Sequence, residues 1–168
     1  MSKTKLTAEV VQGFVESLLA KGFDEPVSTP LFHQEIWKLC CDKHRFVAIA
    51  APRSFAKSTV VTHAYTLACI LFRERSFVVI CSDTETQAVM FLGDIKRELE
   101  TNEDLINLFG LKKDSLGKLK YLKDTESDII VPFKDGGSFR IVAKGSEQKI
   151  RGLKWGSKRP DLIICDDL

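Results

Sequence analysis

Apolar positions along the chain follow two rhythms. Between residues 7 and 20, Val11, Phe14, Val15, Leu18 and Leu19 recur at helical spacing with Gly22 as a stop, which predicts an opening helix. Residues 23–30 hold two prolines and read as a linker. A second helix is expected near residues 30–43, with Pro30 in its first turn and Ile36, Trp37, Cys40 and Cys41 as apolar positions. Short apolar runs then alternate with longer helical patterns. Residues 46–51 and 77–81 read as buried strands, and residues 57–72 as a helix between them. Ser82 and Glu85 have the spacing of a capping box, ahead of a helix striped by Ala88, Phe91, Leu92, Ile95 and Leu99. Residues 102–128 are lysine-rich and aperiodic, so a loop-rich excursion is expected. Residues 129–133 and 138–143 flank Asp135-Gly136-Gly137 and predict an antiparallel pair. A last run, residues 162–165, leads into Asp166 and Asp167. Apolar runs without polar alternation, joined by helices, predict an α/β fold: a mostly parallel central sheet covered on both faces, in three layers.

Composition narrows the classes. With 168 residues, 44% hydrophobic and 29% charged, the chain has a domain's length and enough apolar side chains for a core. Its 25 Lys+Arg against 23 Asp+Glu leave a formal charge of +2, so any nucleic-acid contact must come from local clustering. Lys112, Lys113, Lys118, Lys120 and Lys123 form one such cluster, diluted by Asp114 and Asp124, and read first as a solvated loop. No apolar run reaches the roughly 18–20 residues of a membrane span, and the opening residues carry no apolar core of a secretory signal. The cysteines, Cys40, Cys41, Cys69, Cys81 and Cys165, lack zinc-like spacing and are expected as plain thiols in a reducing compartment.

The chemistry concentrates at two places. Ala51, Pro52, Arg53, Ser54, Phe55, Ala56, Lys57, Ser58 and Thr59 lie between an expected strand and a long helix, where a Walker A loop belongs. Consecutive backbone N–H groups would face a polyphosphate there. The Lys57 ammonium would reach the β/γ oxygens, and the Ser58 hydroxyl would ligate Mg²⁺. Both glycines of the strict Gly-x4-Gly-Lys-[Ser/Thr] pattern are replaced, by Ala51 and Ala56. Alternatively, Lys57 is merely exposed on a first helical turn, at an electrostatic cost that a bound anion would remove. Arg53, four residues before Lys57, would lie near a γ-phosphate. The second place is the final strand. An apolar run ending in Asp166 and Asp167 has the form of a Walker B strand, with Asp166 on the Mg²⁺ side and Asp167 placed to orient or deprotonate the attacking water.

With these residues in hand, the chain resembles the N-terminal ATPase half of the large terminase subunit of tailed bacteriophages. The likeness rests on Phe32-His33-Gln34 with Ile36 and Trp37, on Arg53-x-x-x-Lys57-Ser58, and on Gln87-Ala88 with residues 95–99, Asn102, Phe109 and Gly110. It rests also on residues 149–153 and on residues 159–168. The resemblance covers residues 30–168, with residues 1–30 as a helical lead-in and linker. It implies a P-loop NTPase fold of the ASCE type in residues 31–168, incomplete beyond the Walker B strand and without the family's nuclease domain. It also implies ATP and Mg²⁺ as ligands, with Phe32 and Gln34 at the adenine, Arg53 as an in-loop phosphate sensor, and Arg151 as a finger reaching a neighbour's ATP, with Arg159, better suited to a structural role before Pro160, as its rival. The implied role is a motor that drives double-stranded DNA into a procapsid in the infected bacterial cytoplasm. Its implied partners are a portal protein, a small terminase subunit and copies of itself in a ring. Asp167 stands where the family often has Glu. Nothing in the sequence supplies the two-metal carboxylate cluster that DNA cutting needs, so no nuclease activity is expected; ATPase turnover of the isolated chain is expected to be weak. A helicase-like translocase, or an assembly module with a degenerate nucleotide site, are the alternatives.

Overall fold

The computed structural model describes residues 5–22, 29–52 and 55–168. They belong to two compact units, Met1–Glu74 and Arg75–Leu168.

The first unit is helical. Helix α1 (Ala8–Phe14) is capped by Thr7, whose hydroxyl accepts from the Val10 N–H at 3.4 Å, and it continues through a π-helical stretch, Val15–Leu19, to a 3-10 turn at Ala20–Gly22. Val11, Phe14, Val15 and Leu19 are buried as the spacing predicts, and Phe14 meets Phe72 edge-on with ring centroids 5.9 Å apart. Helix α2 (Leu31–Cys41) has Pro30 at its N-cap, where a missing N–H costs nothing, and it buries Ile36 and Trp37. A π-helical segment, Ser58–Tyr65, runs straight into α3 (Thr66–Leu71). Two buried-end hydrogen bonds tie this long helix to α2. The Trp37 indole donates to Val60 O at 3.0 Å, and the Tyr65 hydroxyl donates to Cys40 O at 2.7 Å.

The expected strand at residues 46–51 is not formed. Residues 46–50 are irregular and Phe46 is 84% exposed. An apolar run becomes a strand only where a neighbouring ladder takes its N–H and C=O groups, and every strand of the described residues lies in the second unit. The expected Walker A strand is therefore absent as a strand.

The second unit is built on a five-stranded sheet in the order β2-β3-β4-β1-β5. Its strands are β1 (Phe77–Ser82), β2 (Lys123–Asp124), β3 (Asp128–Pro132), β4 (Ser138–Gly145) and β5 (Leu162–Cys165). β1 lies parallel to both β4 and β5, while β3 lies antiparallel to both β2 and β4, so the sheet is mixed. Helix α4 (Glu85–Thr101) packs along β4 and β1 and buries Ala88, Leu92, Ile95 and Leu99 of its predicted stripe, with Phe91 half-buried. The opposite face, made by Phe77, Val79, Cys81 and Val142, is covered by Ile150, Leu153 and Trp155 from the β4–β5 connection. This layering is compatible with a three-layer sandwich.

Two local expectations are corrected. The cap of α4 is Thr84, which accepts from Gln87 N at 3.2 Å; Ser82 is instead the last residue of β1 and is fully buried. The lysine-rich segment is also more structured than its composition suggests. It holds α5 (Glu103–Leu108), capped by Asn102 at 3.0 Å, and single bridges joining Leu111 to Phe133 and Lys113 to Leu119.

Asp128 anchors the antiparallel side. The Arg140 guanidinium grips it through two hydrogen bonds, 2.9 and 2.7 Å, and the Lys123 ammonium adds a third. Arg140 also lies over the Phe77 ring at 4.9 Å and donates to Lys154 O at 3.0 Å. Burial acts to raise the Asp128 pKa, but the hydrogen bonds and charges of Arg140 and Lys123 outweigh it and hold the carboxyl below the usual range.

Candidate functional site

The candidate residues fall into two groups, one in each unit. The first is the segment that leads into the Ser58 helix. Arg53 and Ser54 lie outside the described residues. On either side of them the chain closes on itself: the Lys57 ammonium donates to Ala51 O at 2.9 Å. Ala56, where the strict phosphate-loop pattern asks for glycine, has φ +51°. That left-handed conformation costs an L-residue roughly 1–2 kcal/mol, and strain of this kind gathers where a backbone must meet a ligand. Ala56 O then accepts from Val60 N at 2.9 Å, inside the first helical turn, with Lys57 and Ser58 half-buried and Thr59 exposed at the helix start.

Beside this segment lies a cavity of about 330 Å³, lined among others by Phe32, Glu35, Ile36, Leu39, Pro52 and Phe55. Its size falls in the range of small-ligand pockets. The Phe32 and Phe55 rings stand 4.9 Å apart at 56°, and His33 Nε2 is 3.3 Å from Phe55 O. Burial pulls the His33 pKa down, only partly opposed by its hydrogen bond to the Phe55 backbone. Gln34 does not line the cavity; Glu35, one residue on, does.

The second group sits at the carboxyl ends of β1, β4 and β5, the edge where parallel sheets place ligands. In this register Ser82 lies between Gly145 of β4 and the position of Asp166 that follows β5. Asp166 N donates to Cys81 O at 2.9 Å, and Asp83 N donates to Asp167 O at 3.1 Å, so the chain past β5 stays stitched to β1. Asp166 is only 9% exposed, and Asp167 holds φ +51°, a conformation Asp tolerates better than most residues. Gln87, in the first turn of α4, donates to Asp167 Oδ2 at 3.5 Å. Gln148 accepts from Gly145 N at 3.1 Å and donates to Glu85 Oε2 at 2.7 Å. A Cβ at Gly145 would come within 2.7 Å of Glu85 N, so only glycine lets α4 start this close to the sheet. The Ser82 hydroxyl in this cluster is buried without a hydrogen-bond partner.

Arg151 is exposed at the tip of a turn, with Gly152 at φ +89° after it and Leu153 N donating back to Ile150 O at 3.2 Å. Sequence reasoning gave no role to Asp161, which does structural work. Its carboxylate accepts from Ser76 N at 2.8 Å, Ser76 Oγ at 3.2 Å and Phe77 N at 2.9 Å, joining the starts of β5 and β1. The roles of Gln148 and Glu35 were also missed, since nothing in their local sequence marks them.

Among the described residues, no group of three or more His, Cys, Asp or Glu side chains is arranged to hold a metal ion. The Ser58 hydroxyl and the Asp166 carboxylate are hard oxygen donors of the kind Mg²⁺ accepts alongside phosphate and water. A larger cavity, about 530 Å³, lies in the second unit near Glu100, Glu103, Asp114 and Asp124. Each of these carboxylates is engaged: with Tyr121 at 2.7 Å, Lys113 at 2.5 Å, the Leu116 and Lys118 N–H groups at 2.8 and 3.0 Å, and Lys96 at 2.5 Å. Two members of the lysine cluster, Lys113 and Lys123, are thus spent on Glu103 and Asp128. No helix among the described residues is long and apolar enough to cross a membrane. No protein-family model matches the chain, and no curated protein matches it either.

Proposed function

We propose that the chain is the ATP-hydrolysing motor domain of a DNA-packaging terminase large subunit. The observation that carries this reading is the closure of Lys57 on Ala51 at 2.9 Å, with Ala56 left-handed at the pattern's glycine position and a helix opening directly after it. A phosphate chain would take the place of the Ala51 carbonyl on the Lys57 ammonium and meet N–H groups of the first helical turn. Phe32 and Phe55, which line the cavity together with Glu35, would offer aromatic surface to the base.

Ser58 is the residue this reading gives to Mg²⁺, which would supply charge neutralisation between the phosphates; Asp166 is a candidate oxygen donor in the second unit. Asp167, steadied by Gln87, would orient the attacking water and accept its proton. Arg53 and Arg151 are the cations available for the transition-state charge, Arg151 by reaching a neighbouring copy in a ring. Double-stranded DNA, a portal protein and a small terminase subunit are the partners this reading names, in the cytoplasm of an infected bacterium.

Phosphate release from ATP, measured with Mg²⁺ on the purified chain, tests the proposal. Weak turnover is expected. Lys57→Ala should abolish it and Asp167→Asn should lower it by about 10²-fold or more, with circular dichroism unchanged. Equal rates in all three proteins would refute the reading.

A further inference from the structure

Cys81 and Cys165 are direct neighbours across two parallel strands. They are register partners in the β1–β5 ladder, so their side chains share one face of the sheet. Adjacent strands lie roughly 4.7–4.9 Å apart, inside the Cα separations that a disulfide bridges. The two differ sharply in access: Cys81 is 1% exposed beneath Ile150, Leu153 and Trp155, whereas Cys165 is exposed at the sheet's outer edge. An exposed thiol beside a buried one gives a first point of attack and a resolving partner. Cys40 and Cys41 lack this division, both being half-buried, and Cys69 is buried with no cysteine as a strand partner.

We propose that Cys81 and Cys165 form an oxidisable dithiol site whose substrate is a low-molecular-weight disulfide. The Cys165 thiolate attacks one sulfur of the disulfide RSSR, forming a Cys165–SR bond and releasing RS⁻. Cys81 Sγ, passing its proton to the released RS⁻, then attacks Cys165 Sγ and expels the second RS⁻. Two protein thiols are oxidised by two electrons, one RSSR is reduced, and two RSH leave once protonated. The product ties β5 to β1 immediately ahead of Asp166.

The test uses the reduced full chain with oxidised glutathione, followed by alkylation of remaining thiols and peptide mass mapping. Trypsin places Cys81 and Cys165 on separate peptides with one cysteine each. Wild type should yield these two peptides joined by a disulfide. Cys81→Ala should stop with glutathione on Cys165, and Cys165→Ser should leave Cys81 as a free thiol. The wild-type map decides the matter even if the buried Cys81→Ala variant does not fold. Stable glutathione on Cys165 beside an alkylated Cys81, linkage of Cys165 to another cysteine, or an unreacted Cys165 would each overturn the proposal.

Discussion

The Lys57 ammonium and the Ala51 carbonyl meet at 2.9 Å across six residues, so the segment proposed to hold phosphate is folded onto its own cation. The bond is only partly buried and contributes on the order of 1 kcal/mol or less. Lys57→Ala should therefore leave the urea midpoint of the chain almost unchanged while removing nucleotide binding. A large fall in the midpoint would mean that the lysine is structural.

Ala56 offers a second test of the same segment. Glycine there would relieve the left-handed strain of roughly 1–2 kcal/mol and give back about 0.5–1 kcal/mol through greater unfolded-state freedom. Ala56→Gly should stabilise slightly or be neutral and should not weaken nucleotide binding. Ala56→Val, which makes φ +51° worse, should destabilise and weaken binding. Equilibrium unfolding and ligand titration of the two variants check both signs.

Asp128 should make stability sensitive to acid. Its carboxyl is held below the usual range, so the folded state binds the proton less readily than the unfolded chain. The contribution is complete above the unfolded pKa near 3.9 and is lost as pH falls through the lower folded value. Asp128→Asn leaves the Arg140 guanidinium without its partner, at an expected cost of about 3 kcal/mol. Urea midpoints measured from neutral pH into this acid range should fall steeply for wild type and less steeply for the variant.

Asp161 should prove structural and not catalytic. Asp161→Ala removes acceptors from Ser76 N, Ser76 Oγ and Phe77 N, and a loss of about 2 kcal/mol is expected. Amide exchange should quicken at Ser76 and Phe77, at the start of β1, while any ATP turnover per folded molecule should stay the same.

The sequence made some of these features legible and hid others. The stripe of α4, the Gly-Gly turn between β3 and β4, and the run of β5 were readable because each is decided by local periodicity or by glycine at positive φ. The run at residues 46–51 misled. Its composition is that of a buried strand, but pairing depends on a partner that no local pattern encodes, and Phe46 stands 84% exposed. The Ser82–Glu85 box failed for a similar reason: β1 continues through Ser82, so the cap falls to Thr84. In the first candidate group Lys57 and Ser58, and in the second Asp166 and Asp167, stood out by type and spacing. Gln148 and Asp161 did not, since their partners come from distant strands and helices.

Isothermal titration of the purified chain with a non-hydrolysable ATP analogue and Mg²⁺ tests the central claim most directly. The account predicts saturable one-to-one binding to wild type that disappears in Lys57→Ala, with the fold of both proteins intact by circular dichroism. Equal binding by the two, or none by a folded wild type, would contradict it.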